Sequence, residues 1–497
     1  MKLYWNRGDY DWQPERYKYS VEQMMLTLFP GERPEYPEEP AGAGEDWARF
    51  AVTPGEKWVT VTAQVAREGR QAQGRARFPR EKLDEPAEKV YHTVQHGLKM
   101  AFYRAGVTLL GQEPPWGALT GVRPVKLPTR AMLAGATPKQ AQRELERDFR
   151  VSPVRASLAV DCAKASLAVD RDLRDDQVSV YIGVPFCPTR CAYCSFVSAD
   201  VGRTLKLVEP YLEGVLREIA VTGESLRRAG KTVHSLYVGG GTPTTLSASQ
   251  LSQLLEAVHR DLPVEHCVEY TVEAGRPDTI DREKLLALRE AGIGRISINP
   301  QTLEDPVLQA IGRRHSAKDI LDAYALAREV GFDSINMDLI AGLPRDSFEG
   351  FCRSLNGVLA LEPENITVHT LAMKKGSALI QRKGALPGGE EVAQMLDYSR
   401  TTLSGGYLPY YLYRQKYMSG SLENVGWARP GTESLYNIVM MEELHTVISL
   451  GAGGVTKLID PQSGRLLRLS NPKYPQDYLS AGEKLAEQQR EMLAFFR

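Results

Sequence analysis

Three of the six cysteines, Cys187, Cys191 and Cys194, fall within one short run, YIGVPFCPTRCAYCSF. Thiolates separated by three and then two residues on one loop can bind three irons of a cubane and leave the fourth iron open. A structural zinc site needs a fourth Cys or His close by, and the next candidate downstream is the distant His234. An odd cluster of thiols is no disulfide set, and six cysteines in 497 residues are too few for a disulfide scaffold. The run therefore predicts a [4Fe–4S] cluster on Cys187, Cys191 and Cys194, which are also the expected catalytic centre. Cys162, Cys267 and Cys352 lie scattered in apolar or helix-like stretches and read as buried, inert thiols.

An iron left open has a use, because the amino and carboxylate groups of S-adenosylmethionine can chelate it. Electron transfer from a reduced cluster then breaks a C–S bond and releases a 5′-deoxyadenosyl radical, which takes hydrogen from unactivated carbon. Tyr193 and Phe196 flank the cysteines and would shield such a cluster from water and oxygen. Downstream, Gly239, Gly240 and Gly241 precede Thr242 and Pro243; three glycines let backbone N–H and C=O groups approach a ligand closely. Glu273, in YTVEAGRPD, either accepts hydrogen bonds from a ribose or amino group or pairs with Arg276. Asp338 falls inside the apolar run NMDLIAGLP, where an unpartnered carboxylate is costly, and Asn336 shares its face. His315 and His369 are further polar candidates near strand ends, weighed against the ordinary structural use of a lone histidine. The aromatic run from Tyr407 to Tyr417 is either a cover for a flat apolar substrate or core packing. Tyr411 and Arg414 are the candidate substrate residues there, Arg414 through a bidentate contact with a carboxylate; Lys416 is as readily a solvated lysine.

Something must hold these residues at one place. From Val178 to Ala372, short apolar runs alternate with amphipathic helices. The predicted strands are VSVYIGV, HSLYVGG, CVEYTVEA, GRISINP, SINMDLI and NITVHTL. Helices are predicted over 207–229, 247–260, 282–291, 318–330 and 348–361. Six βα repeats argue for a parallel sheet closed or partly closed as a barrel, with reactive residues on loops at the C-terminal strand ends. Every motif above falls there. Residues 1–175 read as an accessory α+β region, 176–375 as the barrel, and 376–497 as a smaller α+β cover. The composition, 42% hydrophobic and 25% charged with mean hydropathy −0.32, is that of a globular protein. No apolar run of about 18 residues and no apolar leader is present, so no membrane span and a cytoplasmic enzyme are expected. A net charge of −1 supplies no global field toward nucleic acid or anionic lipid.

The runs YIGVPFCPTRCAYCSF, YVGGGTPTTL, VEAGRPD, RISINPQTL, IGRRH, NMDLIAGLP and TVHTLAM, with YYLYRQKYMSGSLENVGWARPG and LYNIVMMEE, resemble the radical S-adenosylmethionine superfamily. More closely, they are similar to its oxygen-independent coproporphyrinogen III oxidase group, and within it to the HemZ-type branch. The resemblance implies a partial (β/α)6 barrel, a [4Fe–4S] cluster, S-adenosylmethionine (one molecule, or two), a tetrapyrrole substrate, and an electron donor such as flavodoxin or ferredoxin. By matched positions it implies that Tyr181, Gly240, Gly241, Thr242, Glu273, Gln301, Arg313 and Asp338 bind the cofactor. Phe196 counts with them beside the cluster, and Arg314 is the neighbouring alternative to Arg313. The implied reaction is oxidative decarboxylation of coproporphyrinogen III to protoporphyrinogen IX in haem biosynthesis. The alternative within the superfamily is a haem-binding protein: a haem chaperone, or one that methylates or degrades haem. Two departures bear on that choice. The decarboxylase pattern has a further cysteine where Phe196 stands and a histidine where Gly183 stands. The chaperones' His-Asn…Tyr-Trp tract is here Leu435, Tyr436, Asn437 with no tryptophan beside it.

Overall fold

The computed structural model describes residues 1–6, 12–39, 42, 44–194, 199–372, 386–415 and 419–496. Its contacts divide the chain into two compact units, Met1–Val160 with Arg414–Leu422, and Asp161–Tyr413 with Glu423–Arg497.

In the first unit, β1 (Lys2–Asn6), β2 (Trp47–Pro54), β3 (Trp58–Arg67) and β4 (Arg70–Pro79) form one sheet in that order. β1 is parallel to β2 and the remaining pairs are antiparallel. The period of two is explicit in β3, where Val59, Val61, Ala63 and Val65 are buried and Trp58 and Gln64 are exposed. Glu68 and Gly69, both with positive φ, make the two-residue turn into β4 that right-twisted strands favour. Helices Lys18–Leu28 and Ala87–Leu110 supply the apolar partner, with Phe50, Leu98, Ala101 and Phe102 in one cluster. A Cβ at Gly74 of β4 would sit 2.6 Å from the backbone nitrogen of Ala105, so the long helix lies directly on the strand.

In the second unit, six strands run parallel: β5 (Gln177–Val184), β6 (Thr232–Gly240), β7 (Glu269–Gly275), β8 (Arg295–Gln301), β9 (Ser334–Ala341) and β10 (Asn365–Thr370). The intervening helices are Val208–Arg228, Ala248–Asp261, Arg282–Glu290, Ala317–Val330 and Phe348–Ala360. Strands and helices agree with the sequence reading to within one or two residues at nearly every boundary. Four of the five helices start on a side-chain cap, from Ser247, Asp281, Ser316 and Ser347, which fixes where each strand-to-helix loop ends. The strands are buried along nearly their whole length, as parallel strands with both faces covered must be.

The sheet is larger than the six strands. β11 (Leu408–Tyr413) and β12 (Asn424–Ala428) extend it past β10, and β13 (Val447–Leu450), β14 (Val455–Ile459) and β15 (Leu466–Ser470) extend it past β5. The order is β11-β12-β10-β9-β8-β7-β6-β5-β13-β14-β15. The ladder does not close on itself, and the architecture is a partial (β/α)6 barrel. The described part of the C-terminal region thus adds its strands to the barrel's own sheet. The physical reason is that β5 and β10 would otherwise present unpaired backbone groups at both edges.

Gly74→Ala forces a Cβ into helix backbone that cannot rotate away, an overpacking error of about 1–3 kcal/mol. Urea unfolding followed by tryptophan fluorescence should show an earlier transition for the variant. An unchanged midpoint would contradict the packing described.

Candidate functional site

The cysteine loop leaves the C-terminal end of β5. Cys187 belongs to a two-residue strand, Phe186–Cys187, paired in parallel with Ala199–Asp200. Cys194 N–H donates to Cys191 O at 3.1 Å, and Ala192 N–H to Ile311 O at 2.9 Å, so the loop is tied to itself and to the segment after β8. The triple glycine fixes its start. Gly241 N–H donates to Val184 O at 2.8 Å and Thr242 N–H to Phe186 O at 2.7 Å, while Thr242 Oγ1 lies 3.4 Å from Cys187 Sγ. A Cβ at Gly241 would sit 2.5 Å from Phe186 O, and Gly240 has φ +111°, so both positions need glycine.

All three cysteines are thiols outside any disulfide, and each is partly exposed. Among the described residues, no three His, Cys, Asp or Glu side chains converge as a single metal ion requires. A cubane asks for no such convergence, since each of three irons takes its own thiolate. Three soft donors on one accessible loop, beside a backbone cradle that a Cβ would fill, fit a cluster of that kind and a ligand at its open iron.

Around this loop the strand ends carry a polar network. On β5, Tyr181 stacks on Tyr237 of β6 and on Tyr436, with ring centroids 6.2 and 6.3 Å apart. Tyr237 OH donates to Glu273 Oε1 at 2.7 Å. Burial, with the nearby charge of Asp338, pushes the Glu273 carboxyl up to about 7 despite hydrogen bonds from Tyr237 and the Gly240 N–H. Asp338 has the partners its position demands: Asn336 Nδ2 at 2.7 Å and His369 Nε2 at 3.6 Å. Burial raises its carboxyl, but the bonds from His369, Asn336 and Thr367 outweigh that and leave it below its ordinary value. The network continues through Asn336 to Ser297 (2.8 Å) and on to Asn299 (2.6 Å), and His369 Nδ1 lies 3.5 Å from Tyr413 OH. Gln301, buried at the end of β8, has φ +69°, a strained backbone for a residue other than glycine.

Arg313 is 6% exposed and donates to Asn299 O at 2.5 Å and to Tyr193 OH at 3.1 Å, while Arg314 faces solvent. The inward arginine is therefore Arg313. Glu273 does not pair with Arg276, whose guanidinium grips Asp278 through two bonds of 2.9 and 2.7 Å. Arg276 Nη1 also reaches Thr189 O (3.1 Å), Thr189 Oγ1 (2.8 Å) and Cys191 Sγ (3.9 Å). His315 Nδ1 lies 3.5 Å from Asp278, behind that pair. Sequence reasoning used Arg276 only as a rival partner for Glu273 and did not single out Tyr237 or Asn299. Tyr237 had a usable signal, since it shares the inward face of its strand with Gly239.

The remaining candidates divide. Phe196 lies outside the described residues, as do Lys416 and Tyr417. Arg414, expected to meet a substrate carboxylate, is 5% exposed with its guanidinium on backbone carbonyls: Ser421 O at 3.1 and 2.6 Å, and Leu119 O. Its flat face lies over the Trp116 ring, 5.3 Å from the centroid. These donors tie a segment of the first unit together, where the sequence suggests a bidentate contact with a carboxylate. Tyr411 is 6% exposed in a core cluster with Tyr410, Ala428 and Ile438, and a Cβ at Gly426 would strike its ring, the core-packing arrangement that the sequence leaves open beside a substrate cover. Of the scattered thiols, Cys162 is fully buried, and burial pushes Cys267 up to about 12, as inert thiols require.

Comparison with known proteins gives the following. Residues 181–355 match the family model of the radical SAM superfamily. The chain is 40% identical over 452 residues to the oxygen-independent coproporphyrinogen-III oxidase-like protein HemZ of Bacillus subtilis (strain 168), covering 88% of this chain and 89% of that one. It is 33% identical to the heme chaperone HemW of the same organism, over 52% of this chain and 66% of that one. Among solved structures, the coproporphyrinogen III oxidase HemN of Escherichia coli superimposes with a TM-score of 0.51 at 24% identity, over 66% of this chain and 73% of that one, a likeness of fold.

The Glu273 carboxyl, at about 7 in the folded chain and near 4.5 when unfolded, makes stability depend on pH. Between those values the folded state binds the extra proton, so its stability is greatest below about 4.5 and falls as pH rises through about 7. Glu273→Gln should remove that part of the decline, read as thermal midpoint against pH for both proteins without ligands. Identical slopes would show that the carboxyl is not held as described.

Proposed function

The chain belongs to the oxygen-independent coproporphyrinogen III oxidase-like group of radical S-adenosylmethionine proteins, and we propose on that premise that it decarboxylates the propionates of coproporphyrinogen III. The observation that carries this reading is the similarity to HemZ over 89% of that protein's length. Haem chaperones named HemW are matched at lower identity, 28–33%, over 66–79% of their lengths. The family's cofactors are a [4Fe–4S] cluster and S-adenosylmethionine. When bound, they supply the 5′-deoxyadenosyl radical that takes a hydrogen atom from the substrate. The proposed outcome is a vinyl group in place of a propionate, with loss of CO₂ and of one electron to an external acceptor.

In this reading Cys187, Cys191 and Cys194 hold the cluster. Backbone groups from Gly240 to Thr242 take the methionyl end of the cofactor, because at Gly240 and Gly241 the chain runs without side chains against Val184 and Phe186. Glu273 accepts hydrogen bonds from the cofactor's amino or ribose groups, oriented by Tyr237. Asp338, held ionised by Asn336 and His369, offers a second fixed acceptor on the next-but-one strand. Arg313, seated on Asn299 and Tyr193, brings positive charge to the same strand ends. Tyr181 and Tyr237, stacked beneath the glycines, keep water from that side. Among the described residues no helix is long and apolar enough to cross a membrane.

Anaerobically reconstituted protein should carry about four irons and four sulfides per chain. Cys191→Ala should abolish them, and Cys162→Ala, Cys267→Ala and Cys352→Ala should not. A Cys191→Ala variant that keeps the iron would remove the cluster assignment. Incubated with S-adenosylmethionine, a strong reductant and coproporphyrinogen III, the wild type should lose CO₂ and form vinyl products visible by mass spectrometry. Stoichiometric haem binding with coproporphyrinogen III left intact would instead make it a haem carrier.

A further inference from the structure

We propose that Arg276 is a positioning residue for the cluster: its buried guanidinium, aimed by Asp278, holds a positive charge and an N–H donor against the Cys191 sulfur and raises the cluster's reduction potential. The inference rests on the reading that Cys191 is a cluster ligand.

The geometry of the fork carries the argument. A guanidinium has five N–H donors in one plane, arranged as two edges. Asp278 occupies one edge completely, with Oδ1 on Nε at 2.9 Å and Oδ2 on Nη2 at 2.7 Å. That bidentate grip leaves Nη1 as the far corner, and it is Nη1 that reaches Thr189 and, at 3.9 Å, Cys191 Sγ. The carboxylate therefore lies on the side away from the sulfur, and the pair presents its positive end to the thiolate. The Arg276 side chain is 4% exposed, so water screens this field little. Asp278 is ionised: burial pushes its carboxyl up, but His315 and Arg276 more than reverse that and hold it well below the usual range.

A tether for the loop alone would not need this arrangement. Thr189 O would be satisfied by any neutral donor, which avoids the desolvation cost of a guanidinium left 4% exposed. Position in the chain agrees. Arg276 lies three residues after Glu273, so β7 delivers a carboxylate toward the cofactor side and a guanidinium toward the cluster loop from one strand end. Hydrogen bonds to cluster sulfurs and nearby positive charge both favour the reduced state, which carries one more negative charge.

The test uses the full chain, reconstituted anaerobically as wild type, R276Q, R276K and D278N. Iron and sulfide are counted, and the midpoint potential is then measured by EPR-monitored redox titration without S-adenosylmethionine or substrate. R276Q should keep a full cluster and become at least tenfold harder to reduce at a fixed donor potential, a negative shift of about 59 mV for one electron. D278N removes the counter-charge and should move the potential the other way. A fully loaded R276Q with the wild-type potential would overturn the proposal, and so would R276Q and D278N both shifting negative, which is what simple loosening of the loop produces. If R276Q does not load, R276K decides: its ammonium cannot hold Asp278 bidentately and reach the sulfur, so a negative shift supports the proposal and an unchanged potential ends it. Wild type that binds no iron at the three cysteines would end the cluster reading itself, a separate result.

Discussion

The site depends on one close approach of backbone to backbone. Gly241 and Thr242 donate their N–H groups to Val184 and Phe186, the residues that lead into Cys187. No side chain fits between them, since a Cβ at Gly241 would overlap the Phe186 peptide. This contact sets where the cysteine loop starts relative to the end of β6, and hence relative to Glu273 on the neighbouring strand. Everything else at the strand ends is arranged around a loop whose start is fixed by these main-chain bonds. Main-chain hydrogen bonds have short, directional geometry and no rotamers, which suits a position where small displacements matter.

The charged groups at the strand ends fall on two sides of that contact. Glu273 and Asp338, on β7 and β9, lie closely enough that the Asp338 charge acts on Glu273, and their environments set them apart. Glu273 has a phenol, a backbone N–H and little else, and its carboxyl is pushed toward neutrality. Asp338 has an amide and an imidazole and stays ionised. Two carboxyl groups of different protonation can meet a ligand that carries both ammonium and hydroxyl donors. The arginines lie toward the cysteine loop, Arg276 at Cys191 and Arg313 at Tyr193.

What the sequence made legible follows from how local each signal is. The barrel strands and helices were readable because period-two and period-3.6 runs, capped by Ser or Asp and stopped by glycine, are written in contiguous residues. The cysteines and glycines were readable for the same reason. The inward choice of Arg313 over Arg314 was not, because it is set by one residue of phase after a short helix, and only Asn299 and Tyr193 decide it. Arg414 shows the limit most clearly. Its partners are carbonyl oxygens of Leu119 and Ser421, and a carbonyl is the same atom whatever residue bears it. No pattern of residue types announces such a contact. An arginine in an aromatic run reads as a ligand for an acid, while these contacts of Arg414 are with main chain.

The described part of the aromatic run is packed into the sheet for a related reason. Tyr410 and Leu412 on one face of β11, and Tyr411 on the other, are all buried, although the strand is the last member of the ladder that runs out from β10 through β12. An edge of a parallel array must be closed by something, and strands rich in tyrosine close it well: each ring buries a large area while its hydroxyl finds a partner, as Tyr407 OH does on Pro363 O at 2.6 Å. The same demand explains β13, whose pairing with β5 brings Gly451 against Gly183 and the Tyr211 hydroxyl. That hydroxyl accepts from Ala452 N–H and donates to Gly183 O, clamping the β5 end immediately before the cysteine loop. Gly183 stands where the decarboxylase pattern has histidine, and here the position is enclosed by the β13 turn. A Cβ there would meet the Ala452 carbonyl at 3.2 Å, so the β13 turn leaves little room for a side chain at this position. The strand that closes the sheet edge and the residue at the mouth of the cysteine loop are therefore one structural unit, and neither can be altered without the other.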